Sequence, residues 1–228
     1  TMRHLNLVLV DIGAGTSDVA ITRNGSVIAY GMVPLAGDEV TEAISQRFLL
    51  DFNVAEDIKR QAAEGQSVHF TDILGMEYEL SSQEILEPVF PNIENLASAI
   101  AKQILDLNGE APQAVMLVGG GSLTPHLSEC VAEALGMPHN RVAVRRPDKV
   151  DGIIDLPDEL HSPDAVTPLG ILKIASPQQR RTFADMAKRR ISGHGVIGNF
   201  DAAGLGQAAF AAPQSRMGLG LLLPLQQV

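Results

Sequence analysis

The sequence of 228 residues has a single cysteine and few basic side chains. One cysteine, Cys130, excludes a disulfide within the chain and suits a reducing, cytosolic compartment. The formal net charge is −10, from 17 basic and 27 acidic residues. This charge argues against non-specific nucleic-acid binding, which needs a basic surface, so we expect no nucleic-acid partner.

Long hydrophobic runs are also missing. The apolar stretches are shorter than the roughly 18 residues of a transmembrane helix, and the opening residues have no basic region followed by a cleavage site. We therefore expect neither a transmembrane segment nor a signal peptide, and we expect a cytoplasmic location. What is present is an ordinary globular composition, 45% hydrophobic and 19% charged, in a chain long enough for a hydrophobic core.

The first 50 residues predict three antiparallel strands and then a helix. Leu5 to Asp11 is a nearly continuous apolar run, which is typical of a strand buried on both faces. Val19 to Thr22 and Ser26 to Met32 are rich in β-forming residues, and Asn24-Gly25 between them favours a tight hairpin. Connections this short cannot make a parallel crossover, so the strands must pair antiparallel. Asp38 is the expected N-cap of the helix that follows.

After an insertion at residues 51–82, the pattern alternates helices and strands. The insertion is predicted to hold one helix (residues 55–64) and two short strands, VHFTDIL and MEYEL. A long helix follows, which Pro88 and Pro91 should bend or interrupt. The remaining elements are a buried strand (AVMLVGGG), a helix with Thr124 as its N-cap, a strand (RVAVRR) and a last helix that begins at Ser162.

The order βββαβαβα predicts an α/β fold, with a mixed five-stranded sheet and helices on its faces. We expect residues 1–50 and 83–176 to form one lobe around this sheet, and residues 51–82 to form a small inserted subdomain. Residues 177–228 are expected to be a linker helix and a poorly ordered tail. The tail prediction rests on the segment after Ser192, which is rich in glycine and alanine and nearly free of charge.

The first candidate site is Asp11 with the glycine loop that follows it. The loop contains Gly-x-Gly but opens a strand rather than a helix, so it does not fit a dinucleotide fingerprint. A tight turn would instead point backbone N–H groups into one concavity, which suits an anion. Gly13 and Gly15 lack the Cβ atoms that would hold a phosphate away. Thr16 and Ser17 add hydroxyl donors, and Asp11 can hold Mg²⁺ through water. The alternative is an ordinary glycine-rich hairpin in which Asp11 bonds only to turn amides.

A second glycine loop, Gly119-Gly120-Gly121-Ser122, lies between a buried strand and a helix. Backbone can approach a ligand closely at such a point, and a helix start favours negative charge. The alternative is that glycine only relieves steric crowding where strand meets helix. Glu56 and Lys59 lie three residues apart on the predicted insertion helix and so share a face, where a surface ion pair is the simplest interpretation.

These motifs, in this order, resemble the second lobe of the actin-like ATPases, whose fold is ribonuclease H-like. VDIGAGTSDVAI resembles the second phosphate motif of that superfamily, and AVMLVGGGSLTPHL resembles its adenosine motif. AEDIK resembles the segment whose Glu and Lys reach the ribose and base. Within the superfamily the resemblance is closest to the FtsA and PilM-like group of cell-division and pilus-assembly proteins, because GGGSLTP matches their three glycines before small and apolar residues and a proline.

The resemblance implies ATP and Mg²⁺ as cofactors, bound in a cleft between two lobes of which this chain supplies one wall. Asp11 would serve the metal. It implies no catalytic residue in this chain, because phosphoryl transfer by positioning requires closure around the phosphate. The residues implied to bind nucleotide are Gly13, Ala14, Gly15, Thr16 and Ser17 at the phosphates, Glu56 and Lys59 at the ribose and base, and Gly119, Gly120, Gly121 and Ser122 beneath the adenosine.

The partners implied by the resemblance are a first lobe of the same protein and protein partners at the cytoplasmic face of the membrane, or self-association. The tail after Ser192 does not match a membrane-targeting amphipathic helix, because it offers only Arg216 for a basic face. Two alternatives stay open. One is a chaperone-like or reactivase-type ATPase that remodels a client protein, and the other is an interaction module that keeps the fold without binding nucleotide.

Overall fold

Residues 5–147 and 158–175 are described by the structure, a computed structural model of the chain. Three strands come first: β1 (Leu7–Ile12), β2 (Ser17–Arg23) and β3 (Ser26–Val33). They pair antiparallel, as predicted. Asn24 and Gly25 join β2 to β3 with φ values of 54° and 75°, the left-handed conformation that a two-residue hairpin turn requires.

The elements after β3 follow the predicted order. The long predicted helix is interrupted at the 3₁₀ turn Glu87–Val89, which contains Pro88, because proline disrupts the helical hydrogen bonds. The elements are α1 (Gly37–Phe48), α2 (Phe52–Ala63), β4 (Val68–Thr71), β5 (Glu77–Leu80), α3 (Ser82–Leu86), α4 (Phe90–Asn108), β6 (Ala114–Val118), α5 (Leu127–Ala134), β7 (Val142–Val144) and α6 (Val166–Ala175).

The main sheet has five strands in the order β3-β2-β1-β6-β7. β1 is antiparallel to β2 and parallel to β6, and β6 is parallel to β7. The predicted mixed five-stranded α/β sheet is therefore confirmed. Because β1 and β6 are parallel neighbours, their carboxyl ends meet at one edge, where Asp11 is paired with Val118. Ligands of open α/β sheets bind outside such carboxyl ends.

The core lies between this sheet and the helices that pack on it. α4 packs against β2 and β3 through residues spaced three or four apart. α1 buries Val40, Ile44 and Phe48, the apolar face that its spacing predicts. The fully buried residues of α4 are Ile93, Leu96, Ile100 and Ile104, and those of β1 are Val8, Val10 and Ile12.

Residues 51–82 contain α2 and a separate two-stranded sheet, β4 paired antiparallel with β5. α2 begins at Phe52, three residues before its predicted start. The N–H of Ile73, in the turn between β4 and β5, donates to the carbonyl of Leu49 at the end of α1 (3.1 Å). This bond ties the hairpin to the carboxyl end of α1.

Three further predicted helix starts were wrong. α6 begins at Val166, after the 3₁₀ turn Pro163–Ala165, rather than at Ser162. α1 begins at Gly37 rather than after Asp38, because backbone carbonyls of Gly13 and Ala14 accept the N–H groups of Gly37 (3.1 Å) and Asp38 (2.8 Å). α5 begins at Leu127 instead of after Thr124. The glycine-rich residues before it form a 3₁₀ turn, in which the N–H of Thr124 donates to the carbonyl of Gly121 (3.1 Å).

The predicted linker helix and tail, residues 177–228, lie outside the described residues. None of the helices in residues 5–147 and 158–175 is both long enough and apolar enough to cross a bilayer.

The packing of α4 generates a stability prediction. Ile104→Ala, at a fully buried position, should lower the free energy of unfolding by about 2 to 5 kcal/mol, because it removes buried methyl groups and leaves a cavity. The matched control is Leu105→Ala, at the next residue, which is 38% exposed. This substitution should lower the free energy of unfolding by about 1 kcal/mol or less. Urea denaturation of both variants measures the difference, and equal losses would contradict the packing described.

Candidate functional site

Two glycine loops follow β1 and β6 at the edge of the sheet where both strands end. Gly119, whose φ is 82°, has no room for a side chain, since a Cβ there would collide with Asp11 Oδ1 and the carbonyl of Ile12. A Cβ on Gly121 would lie 2.9 Å from the carbonyl oxygen of Gly13. Glycine at 119 and 121 is therefore what lets the two loop backbones come into contact.

A cleft of about 690 Å³ opens beside these loops. It brings together residues from both loops and from α2. Six residues predicted from the sequence line it: Gly13, Ala14, Glu56, Lys59, Gly120 and Gly121. The charged lining residues that the sequence analysis missed are Asp38, Arg60, Glu64, Arg146 and Asp164.

Only some of these charged lining residues could have been predicted from the sequence. Arg60 lies four residues after Glu56, so it shares the same helical face and could have been found by spacing. Arg146 and Asp164 come from segments far from the motifs, and their local sequence gives no reason to place them in this cleft.

The loop after β1 exposes unused hydrogen-bond donors. The N–H of Gly13 donates to the carbonyl of Thr16 (3.0 Å). Within residues 5–147 and 158–175, the N–H groups of Ala14, Gly15 and Thr16 have no carbonyl partner, and all three residues are exposed. A cluster of free backbone N–H groups in a turn forms a concavity that can accept an anion.

The two predicted serine hydroxyls are used inside the fold. Ser17 is fully buried, and its hydroxyl donates to the carbonyl of Leu35 (2.8 Å). The hydroxyl of Ser122, also buried, donates to the carbonyl of Gly119 (2.7 Å). These side chains shape the two loops, whereas the hydroxyl-bearing Thr16 is exposed at the turn.

Asp11 ends β1 beside the second glycine loop. Its Oδ2 accepts a hydrogen bond from the hydroxyl of Thr167 on α6 (2.6 Å). Among the residues that the structure describes there is no group of three or more histidine, cysteine or carboxylate side chains able to hold a metal ion. A cation at Asp11 would therefore need water or ligand oxygens for its remaining positions, which is how proteins usually hold Mg²⁺.

Asp18 faces Asp11 directly across the β1–β2 pair. Burial raises the pKa of Asp18, and the negative charge of Asp11 raises it further. Like charges in direct cross-strand register repel each other. A cation beside Asp11 would offset this repulsion.

A buried lysine connects α2 to the start of α1. Lys59 is 8% exposed, and its ammonium group donates to the carbonyl of Gly37 (3.0 Å) and to the hydroxyl oxygen of Thr41 (2.7 Å). It also forms an ion pair with Glu56 Oε2 (2.6 Å). These three acceptors occupy all three N–H donors of the ammonium group.

Glu56 is the acceptor at the centre of this network. Its Oε2 also accepts from Thr41 (2.6 Å), and its Oε1 accepts from Arg60 (3.0 Å). Burial alone would raise the pKa of Glu56. The hydrogen bonds from Lys59, Thr41 and Arg60, together with the positive charge of Lys59, outweigh burial and hold that pKa below its ordinary value.

Comparison with known proteins identifies the family to which the chain belongs. A family model described as "Cell division protein FtsA" matches residues 8–170, more than half of the chain. The chain belongs to the FtsA family. The FtsA of Pseudomonas aeruginosa is 28% identical over 188 residues, which cover 78% of this chain and 44% of that protein. The chain spans about half the length of the curated FtsA relatives it matches.

Solved structures share the fold of this FtsA-family chain. The ethanolamine utilization protein EutJ from Carboxydothermus hydrogenoformans is 25% identical, with a TM-score of 0.52 over 75% of this chain and 50% of that one. A non-polymerising mutant of MamK bound to AMPPNP is also 25% identical, with a TM-score of 0.51 over 62% of this chain and 50% of that one. The predicted actin-like ATPase fold, with its ribonuclease H-like lobe, is confirmed.

The contact between the glycine loops predicts different outcomes at neighbouring glycines. Gly121→Ala should lower the free energy of unfolding by about 1 to 3 kcal/mol, because the new methyl group collides with backbone. Gly120→Ala is the matched control, since the nearest described atom to its Cβ is the Cβ of Asp164 at 3.9 Å. Thermal unfolding of both variants tests this, and a Gly121→Ala variant as stable as Gly120→Ala would show that the loops do not touch.

The Glu56 network predicts a pH-dependent contribution to stability. Because the folded-state pKa is lowered, the contribution is present above the ordinary value of 4.5 and is lost as the pH falls through the folded value. Glu56→Gln should therefore lower the free energy of unfolding by about 1 to 3 kcal/mol at neutral pH, because Lys59 loses its charged partner. In acid the substitution should change the free energy of unfolding little.

Urea denaturation across a pH series measures this cost. Glu42→Gln, at an exposed position on α1, serves as the control and should show a small cost at every pH. A cost for Glu56→Gln that does not shrink in acid would mean that the charge of Glu56 is not what stabilises the network.

Proposed function

We propose that this chain binds Mg-ATP in the cleft beside its two glycine loops, as one wall of the nucleotide site of an FtsA-like, actin-fold cell-division protein. The observation that carries the proposal is the meeting of both loops with Glu56 and Lys59 in one cleft of about 690 Å³. This volume lies in the range of ordinary small-ligand sites, which is about 300 to 1,000 Å³.

The phosphates of ATP are assigned to the loop after β1. The N–H groups of Ala14, Gly15 and Thr16, which have no carbonyl partner among the described residues, support this assignment, as does the absence of side chains at Gly13 and Gly15. The net charge of −10 repels anions at long range, so phosphate binding must rest on these local donors and on a bound cation.

The residues around Asp11 fit a magnesium ion. The carboxylate of Asp11 stands at the end of β1, beside the proposed phosphate loop, and hard cations prefer carboxylate, water and phosphate oxygens. The bound Mg²⁺ would supply positive charge against the outer phosphates. Asp11 would hold it through water, with the Thr167 hydroxyl occupying one acceptor position of the carboxylate.

The ribose and base are assigned to the end of the cleft lined by α2. A carboxylate can accept about four hydrogen bonds, and Glu56 accepts three within the protein, which leaves one for a ribose hydroxyl. Lys59 has no N–H to spare, so its role here is to hold Glu56 and the start of α1. The loop Gly119 to Ser122 forms the floor beneath the adenosine.

The second wall of the site is assigned to a first lobe of the same protein. The curated relatives are about twice as long as the segment they share with this chain, which leaves room in them for that lobe. The MamK structure, which has the same fold, is bound to AMPPNP, an ATP analogue.

We place the whole protein in the cytoplasm, at the membrane face, through protein partners or self-association. The FtsA family match supports this role over a chaperone-like one.

An open site of this kind should bind ATP weakly. Calorimetric titration of Mg-ATP into the 228-residue chain is expected to give a Kd weaker than micromolar. Phosphate release should not exceed the background rate, because the described residues supply one wall of the cleft and do not close around the phosphates. Sub-micromolar binding would contradict the assignment of the second wall to another lobe. No binding at any concentration would leave the alternative of an interaction module without nucleotide.

Asp11 provides the test of the metal site. Mg-ATP should raise the Tm of the wild-type chain, since a ligand that binds only the folded state stabilises it. Asp11→Ala should lose the part of this increase that depends on Mg²⁺. Asp106→Ala, at an exposed position on α4, is the control and should keep it. An equal Mg²⁺-dependent increase in Asp11→Ala would show that the metal lies elsewhere.

A further inference from the structure

Thr167 joins the carboxylate of Asp11 to a segment of the chain 156 residues away. The hydroxyl of Thr167 lies 2.6 Å from Asp11 Oδ2, a short distance typical of a hydrogen bond to an ionised acceptor. Thr167 is itself exposed in the first turn of α6, so its hydroxyl is not needed to satisfy a buried polar group.

The other oxygen of the carboxylate lies beside the second glycine loop. Asp11 Oδ1 lies so close to Gly119 that a Cβ on this glycine would collide with it. Asp11 is thus held between the backbone of the second glycine loop on one side and the Thr167 hydroxyl on the other. The hydrogen bond from Thr167 favours the orientation of the Asp11 carboxylate in which Oδ1 lies on the side of Gly119.

The segment that carries Thr167 is itself fixed to the site. The N–H of Gly119 donates to the carbonyl of Pro163 (3.0 Å), in the 3₁₀ turn that leads into α6. Ala165 and Leu169, on either side of Thr167, are buried. Asp164 lines the cleft. Residues 163–169 are therefore attached to the second glycine loop, and Ala165 and Leu169 pack this segment into the fold.

We infer that Thr167 is a positioning residue for the metal site: it orients the Asp11 carboxylate, and so the Mg²⁺-dependent part of ATP binding depends on its hydroxyl. This inference rests on the proposed function. Partners that orient a metal-binding side chain typically contribute about 10- to 100-fold to metal affinity. Thr167 does not touch ATP in this assignment, so ATP affinity without metal should not depend on it.

The experiment compares Thr167→Val, which removes the hydroxyl and keeps the shape, with Thr167→Ser, which keeps the hydroxyl. ATP is titrated into the 228-residue chain and followed by NMR chemical shifts, once with excess Mg²⁺ and once with EDTA. The readout is the Kd in EDTA divided by the Kd with Mg²⁺, which measures how much Mg²⁺ strengthens ATP binding. In Thr167→Val this ratio should fall by about tenfold. If the wild-type ratio is itself below about ten, the ratio should fall to one. In Thr167→Ser it should stay within about twofold of wild type, and the Kd in EDTA should be the same for all three chains.

The outcomes separate this inference from the proposed function. An unchanged Kd ratio in Thr167→Val overturns the positioning role and leaves the nucleotide site intact. A loss of affinity that is equal with and without Mg²⁺ also overturns it, because the hydroxyl would then support the cleft in general. Wild-type binding without any Mg²⁺ gain overturns the metal site at Asp11 and, with it, the role of Thr167. A wild-type chain that binds no ATP in either condition overturns the proposed function itself.

Discussion

The close approach of two backbones at the carboxyl ends of β1 and β6 is the constraint on which the site depends. Parallel pairing brings the ends together, and glycine at 119 and 121 removes the side chains that would separate them. The same contact places the Asp11 carboxylate beside Gly119. Packing therefore explains the first and third glycines of the triglycine, whereas Gly120, whose Cβ would meet no described atom closer than 3.9 Å, lines the cleft with Gly121.

Buried hydrogen bonds then attach the rest of the site to these loops. Lys59 connects α2 to the first residue of α1, and Thr41 and Glu56 complete the network around its ammonium group. A buried ammonium group with three acceptors avoids the large penalty of an unpaired charge. The ion pair that looks like an ordinary surface feature in the sequence is thus an internal tie between two elements.

The sequence predicts those parts of this architecture that have a local cause. The hairpin at Asn24-Gly25 and the apolar face of α1 follow from turn chemistry and periodicity, and the two glycine loops could be assigned to strand ends for the same reason. The start of α1 could not be predicted, because its N–H groups are accepted by carbonyls from a loop more than 20 residues earlier. The hydrogen bond between Thr167 and Asp11 could not be predicted either, because the two residues come together only in the folded chain.

Helix α1 is held at both ends by partners from other parts of the chain. Its first N–H groups are fixed to the carbonyls of Gly13 and Ala14, and Leu49, just past its last residue, accepts the N–H of Ile73 in the β4–β5 hairpin. Twelve residues of helix span about 18 Å. α1 is therefore a rod with the loop after β1 at one end and the hairpin at the other. A small tilt of this rod about its loop end would therefore produce its largest displacement at the hairpin.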